Sequence, residues 1–81
     1  MHVTIRLFAR LRDVAGCERL PLDLPQGATV GHAVEAALAA RPALAPLRPV
    51  MQAARNAVHA GLGEALADGD EVALFPPFSG G

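Results

Sequence analysis

Apolar and polar positions change period along this chain, and each change predicts an element. Val3, Ile5 and Leu7 alternate with Thr4, Arg6 and Phe8. Period two with β-branched residues predicts a strand, because successive side chains in a strand point to opposite faces. Ala9–Ala15 breaks the alternation and Gly16 closes it, which predicts a helical turn or short helix. Leu20, Leu22 and Leu24 alternate again. Pro21 lies between them and lacks an N–H, so one side of this second strand has no ladder bond there. Pro25-Gln26-Gly27 predicts a turn. The first two strands are therefore expected to be antiparallel neighbours.

From Val30 the period becomes helical. Val30, Ala33, Val34, Ala37 and Leu38 make one apolar face. Thr29 is placed to cap the first turn, and Pro42 ends the helix near Arg41. Pro42–Pro49 is expected to be a proline-punctuated loop, with Leu44 and Leu47 anchoring it to the core. Met51–Val58 reads as a strand of weak pattern. Asp68-Gly69-Asp70 predicts a turn with glycine at positive φ. Glu71–Phe75 predicts the last strand, ended by Pro76 and Pro77. Strands at both ends and a helix between them predict an α+β domain, a single sheet with one long helix across one face. The first and last strands, rich in large apolar residues, are expected at its centre.

Length and composition limit what this domain can enclose. Folding 81 residues buries only about 60% of the unfolded chain's surface, which leaves little room for a polar internal site. With 52% hydrophobic and 19% charged residues, a core is affordable and disorder is excluded. A net charge of −1 argues against nucleic acid or an anionic membrane as partner. No segment offers the roughly 20 uninterrupted apolar residues of a membrane span. The start of the chain has neither n-region nor h-region, so a cytoplasmic location is expected.

Candidate chemistry in the interior is sparse. Cys17 is the single cysteine and excludes an internal disulfide or a Cys-based zinc cluster. It could act as a nucleophile or carry a persulfide, but no His lies near it in sequence, and a structural role is the expectation. His2, His32 and His59 are dispersed without metal-ligand spacing and are expected at the solvated surface. Asp68, Asp70 and Glu71 do not form an EF-hand pattern and read as a polar turn. Nucleotide-binding and nucleophile-elbow motifs are absent. The seven arginines do not form a basic stripe with stacking aromatics.

Attention therefore moves to the end of the chain. Pro76 and Pro77 stiffen the exit from the last strand. The segment 76–81 ends in Gly80 and Gly81 and reaches at most about 20 Å. Two residues without Cβ atoms thread a channel too narrow for other residues. A carboxyl carbon at Gly81 would then be the functional atom. The chain divides into a domain over 1–75 and a flexible tail over 76–81.

The stretch Asp68-Gly69-Asp70-Glu71-Val72-Ala73-Leu74-Phe75-Pro76-Pro77-Phe78-Ser79-Gly80-Gly81 closely resembles the C-terminal signature of the small subunit of molybdopterin synthase, the MoaD family. Val3–Phe8 followed by Ala9–Gly16 is similar to that family's first strand and its A-x-x-R-x-x-x-G segment. Thr29-Val30 opens the helix, and Ala54-Arg55-Asn56 falls where the family has a strand ending in Asn. Phe78 departs from the pattern, which more often has a smaller aliphatic residue, and the Arg55-Asn56 region is more polar than the family's.

The resemblance implies a ubiquitin-like β-grasp, a mixed sheet of about 4–5 strands with one main helix on one face. It implies a sulfur carrier of molybdenum cofactor biosynthesis. An ATP-using activating enzyme of the MoeB type would adenylate Gly81, turning the leaving group from oxide into AMP. A sulfur donor, such as a cysteine desulfurase or rhodanese, would then leave a thiocarboxylate. Within the large subunit (MoaE type), the sulfur would pass to cyclic pyranopterin monophosphate. Phe75, Pro76, Pro77, Phe78 and Ser79 would dock and aim the tail, and Gly80 would permit threading. No cofactor or metal would be bound, ATP being used by the partner. A heterotetramer is expected, catalytic only in complex. The surface around Leu7, Phe8 and Phe75 is a candidate interface. Alternatives are a carrier for tRNA thiolation or thiamine synthesis, a non-catalytic β-grasp binding module or protein modifier, and a Cys17-dependent redox protein.

Overall fold

The computed structural model describes residues 1–77. Phe78, Ser79, Gly80 and Gly81 lie outside the described residues. The elements run β1 (His2–Leu7), α1 (Ala9–Ala15), β2 (Arg19–Asp23), α2 (Val30–Ala40), a 3-10 helix (Pro42–Val50), β3 (Gln52–Arg55), β4 (Val58–His59) and β5 (Glu71–Phe75). The five strands form one sheet in the order β2-β1-β5-β3-β4. β1 pairs antiparallel with β2 and parallel with β5, and β3 pairs antiparallel with β5 and β4. This is a ubiquitin-like β-grasp, and the two apolar end strands occupy its centre as expected.

Alternation decides which face is buried. Val3, Ile5 and Leu7 of β1, Leu20 of β2, and Val72 and Leu74 of β5 point to one side and are buried. Val30, Ala33, Val34 and Ala37 of α2 cover them from above. The small alanines let the helix approach the sheet closely, and Leu11 of α1 and Leu44 of the 3-10 helix fill the ends of the layer. The opposite face carries Thr4, Arg6 and Glu71, and among the described residues no helix packs on it. Pro21 sits on the edge strand β2, where its missing N–H sacrifices no ladder bond.

The start of α2 is fastened twice. Thr29 Oγ1 accepts from the His32 backbone N–H, and His32 Nδ1 accepts from the Thr29 N–H at 2.9 Å, a reciprocal capping box. The next amides, of Val30 and Gly31, donate to the carbonyls of Glu64 and Leu62. The loop after β4 therefore satisfies donors that a helix start leaves unpaired. Arg41 ends the helix in a non-helical conformation before Pro42.

Two expectations are corrected. Pro42–Pro49 is not an irregular loop but lies in a 3-10 helix. Proline presets φ near −65°, which a 3-10 turn accepts, and a repeat of three residues places Leu44 and Leu47 on one side. Both pack into the core, Leu44 completely. Met51–Val58 is not one strand. It is a hairpin, β3 and β4, reversed at Asn56 and Ala57, whose φ values are 48° and 70°. Two successive left-handed residues suit a two-residue type I′ turn. The pattern was weak because alanine occupies the position that glycine favours.

Candidate functional site: the exit of the C-terminal segment

β5 is central, hydrogen-bonded to a neighbour on each side, so its direction fixes where the chain leaves the sheet. Phe75 pairs with Gln52 of β3, and the Leu74 carbonyl accepts from the Phe8 N–H at 3.1 Å. Pro76 and Pro77 follow immediately and cannot donate to either neighbour, so pairing stops there. Phe75 and Pro76 are half-buried and Pro77 is exposed. These three predicted site residues thus form a stiff exit from the middle of one end of the sheet, beside Phe8. The other predicted site residues, Phe78, Ser79, Gly80 and Gly81, lie outside the described residues.

The surroundings of the exit differ from one sheet face to the other. Of Leu7, Phe8 and Phe75, at least one is expected to pack in the core, and Leu7 is that residue, pointing inward and 2% exposed. Phe8 is 38% exposed. Arg6 lies over its ring, with Cζ 5.0 Å from the centroid. Arg6 and Arg19 both face Glu71, at 3.6 Å and 3.7 Å.

The carboxylates of the Asp68–Glu71 turn have separate roles. Asp68 accepts from the His2 backbone N–H at 2.6 Å. Asp70 is not part of a solvated turn, as the sequence pattern implied, but is 7% exposed. Its Oδ2 accepts from Arg55 Nε at 2.6 Å and from the Ala67 N–H at 2.8 Å, and its Oδ1 from Asn56 Nδ2 at 2.9 Å. The Ala67 backbone donor, then the Asn56 and Arg55 side chains, hold its carboxyl down at about 2. Asn56 Oδ1 in turn accepts from the Glu71 N–H. The polar Arg55-Asn56 pair thus ties the β3–β4 turn to the start of β5. The tie lies at the far end of β5 from the exit and serves the fold. Three donors around a carboxylate are not readable from Asp-Gly-Asp, although polar residues at the end of a short strand are a signal that such an acceptor exists.

The remaining candidates bring together no reactive group. Cys17 is free, half-buried and packed against the core. His2, His32 and His59 are exposed, as expected, but engaged: His2 with Asp23, His32 in its capping box, His59 with Gln52. Among the described residues no three His, Cys, Asp or Glu side chains could hold a metal together. A cleft of about 300 Å³ opens between α2 and the β3–β4 hairpin, lined by Val34, Arg48, Met51, Gln52, His59 and Leu62 among others. Its Arg48 is paired with Glu35 at 2.9 Å, and its His59 faces Gln52, so it presents no nucleophile or unpaired acid. No helix among the described residues is long and apolar enough to cross a membrane. What the geometry offers is a small domain whose central strand leads directly into Pro76 and Pro77.

The model of the ThiS family matches residues 5–81. The chain belongs to the ThiS family. Relatives within reach of it are informative. It is 45% identical over 84 residues to small archaeal modifier protein 1 of Haloferax volcanii, with 94% of this chain and 97% of the relative covered. The crystal structure of that protein superposes with a TM-score of 0.89 at 42% identity, both chains fully covered. The molybdopterin synthase sulfur carrier subunit of Chlamydomonas reinhardtii is 39% identical over 83 residues, again with both chains fully covered. A protein–protein complex of subunits 1 and 2 of the molybdopterin-converting factor from Helicobacter pylori contains a similar chain, with a TM-score of 0.73 at 26% identity and full coverage of both. The chain is thus a ubiquitin-like protein of the sulfur-carrier and modifier kind, as its resemblance to the MoaD family implied.

Proposed function

We propose that this chain is the sulfur-carrying small subunit of a molybdopterin synthase. The observation that carries the reading is the central strand β5, which runs out of the sheet through half-buried Phe75 and Pro76 to exposed Pro77. The family match that runs on through Gly81 supports it. A carboxylate resists nucleophiles because its charge is delocalised and its leaving group is oxide. An adenylating enzyme would join the Gly81 carboxylate to the AMP portion of ATP, releasing pyrophosphate. Sulfur from a persulfide donor would attack that acyl carbon and expel AMP, and reduction of the remaining S–S bond by a thiol would leave the thiocarboxylate. Phe75 to Ser79 would dock and aim the segment and Gly80 would let it thread into a large subunit; the similarity of this chain to a chain in the two-subunit complex of the molybdopterin-converting factor supports such a partner. There the sulfur would pass to cyclic pyranopterin monophosphate.

The domain's own part is positional. It is recognised, and its rigid exit limits the directions in which a short segment can point. Incubation with ATP, the adenylating enzyme and a sulfur donor should replace one oxygen by one sulfur at Gly81, read by intact mass. The loaded chain with a large subunit should then form molybdopterin. A chain lacking Gly81 should unfold at an unchanged temperature yet accept no sulfur. Failure of the full chain to exchange oxygen for sulfur with competent partners defeats the reading.

A second reading, a protein modifier, is favoured by the 45% identity to small archaeal modifier protein 1. It predicts isopeptide-linked conjugates of Gly81 in cells. All seven basic residues are arginine, so no side-chain amine here can accept a further copy. Modified proteins would then rise in single steps rather than as side-chain-linked polymers.

A further inference from the structure

We infer that Arg6 and Arg19, beside Phe8, form a socket for a carboxylate side chain presented by a partner protein. The inference rests on the carrier reading only for the choice of partner. The row Arg19–Arg6–Ala73 runs across β2, β1 and β5 on the face opposite α2. The two guanidinium groups share one intramolecular acid, Glu71. Their contacts to it, 3.6 Å and 3.7 Å, are longer than hydrogen bonds. One carboxylate therefore faces two cations without fully satisfying either.

Arg6 is the more constrained of the two. Its Nε is buried and has no hydrogen-bond partner among the described residues. A desolvated guanidinium N–H without an acceptor is costly, and fold stability alone gives no reason to keep it. Its Cζ already lies over the Phe8 ring. That cation–π contact restrains the side chain and so lowers the entropy lost when an acid docks. Phe8 and the half-buried Phe75 flank the position with apolar surface. The complementary partner carries an Asp or Glu ringed by apolar side chains, the acid to pair with the guanidinium groups and the apolar ring to meet the phenylalanines. A phosphate backbone is a poorer match, because the net charge is −1 and a single sheet row offers only two cations.

The experiment measures binding of the chain to the purified adenylating enzyme and to the large synthase subunit, each immobilised, at low and high salt. Arg6→Gln should weaken binding to at least one of them about tenfold. Glu71→Gln removes the internal competitor and should tighten the same binding about threefold. Merely structural roles would not produce an opposite sign in the second variant, and thermal unfolding confirms that both fold. Binding of the wild type should also fall with salt more steeply than that of Arg6→Gln. Sulfur loading of the wild type with neither variant shifting binding overturns the inference and leaves the carrier reading standing. Opposite shifts in binding without loading defeat the carrier reading and leave the socket standing. No binding and no loading defeat both. Retention on a single-stranded oligonucleotide at physiological salt, lost in Arg6→Gln, reassigns the arginines to phosphate and overturns the protein-carboxylate assignment.

Discussion

Asp70→Asn removes a charge that three donors hold in place, so its cost can be worked from the structure. The ordinary carboxyl value is 3.8, and here it is lowered to about 2. At about 1.4 kcal/mol per tenfold change, that difference corresponds to about 2.4 kcal/mol in favour of the folded state at neutral pH. Asp70 lies at the rim of the sheet, where solvent screens Arg55, so a discounted effect of about 1–2 kcal/mol is expected. The amide adds a second cost. Arg55 Nε and the Ala67 N–H require an acceptor at Oδ2. The new NH2 group therefore faces Asn56 Nδ2, also a donor. Asn56 cannot turn over freely, because its Oδ1 accepts from the Glu71 N–H. Together these give a loss of about 2 kcal/mol at pH 7. Urea unfolding followed by far-ultraviolet circular dichroism reads it, since no Trp or Tyr is present for fluorescence. With a slope near 1 kcal/mol per molar urea, the midpoint should fall by about 2 M. The pH dependence is the sharper test. A depressed folded value stabilises above 3.8, and the benefit is lost as pH falls from there through about 2. The gap between wild type and Asp70→Asn should therefore narrow over that window. Equal stabilities at pH 7, or a gap that stays constant down to pH 2, would refute the reasoning.

Other outcomes follow from the same structure. Ala57→Gly should stabilise by about 0.5–1 kcal/mol, because glycine relieves the left-handed φ of 70° at a cost in unfolded-state entropy. A rise in the thermal midpoint checks this. Thr29→Ala removes one half of the capping box and should cost about 1 kcal/mol, a drop of about 4–8 °C by circular dichroism. Leu11→Ala empties a fully buried position between α1 and the 3-10 helix. It should cost about 2–5 kcal/mol in urea unfolding, the range reflecting how far the neighbours collapse.

The sequence by itself determined the elements whose cause is local. Alternation in Val3-Ile5-Leu7 and in Val72-Leu74 needs only the pleat of a strand. The α2 boundaries follow from Thr29 before the apolar period and Pro42 after it. The turn at Gly69 follows from glycine's access to a positive φ, here 86°. The C-terminal signature was legible for the same reason, since prolines and glycines act on their own backbone. What the tertiary structure decided was everything that depends on residues distant in sequence. Asp70 looked like a solvated turn residue because nothing local shows that Arg55 and Asn56 will fold back over it. His32 looked like a surface histidine, although its ring nitrogen closes the cap. Leu7 and Phe8 are adjacent and both apolar, yet one lies in the core and the other on the open face. Strand alternation requires that division, but only the packing of α2 on one side says which side is which. Arg6, Arg19 and Glu71 come from separate strands, and pairing alone sets them in contact.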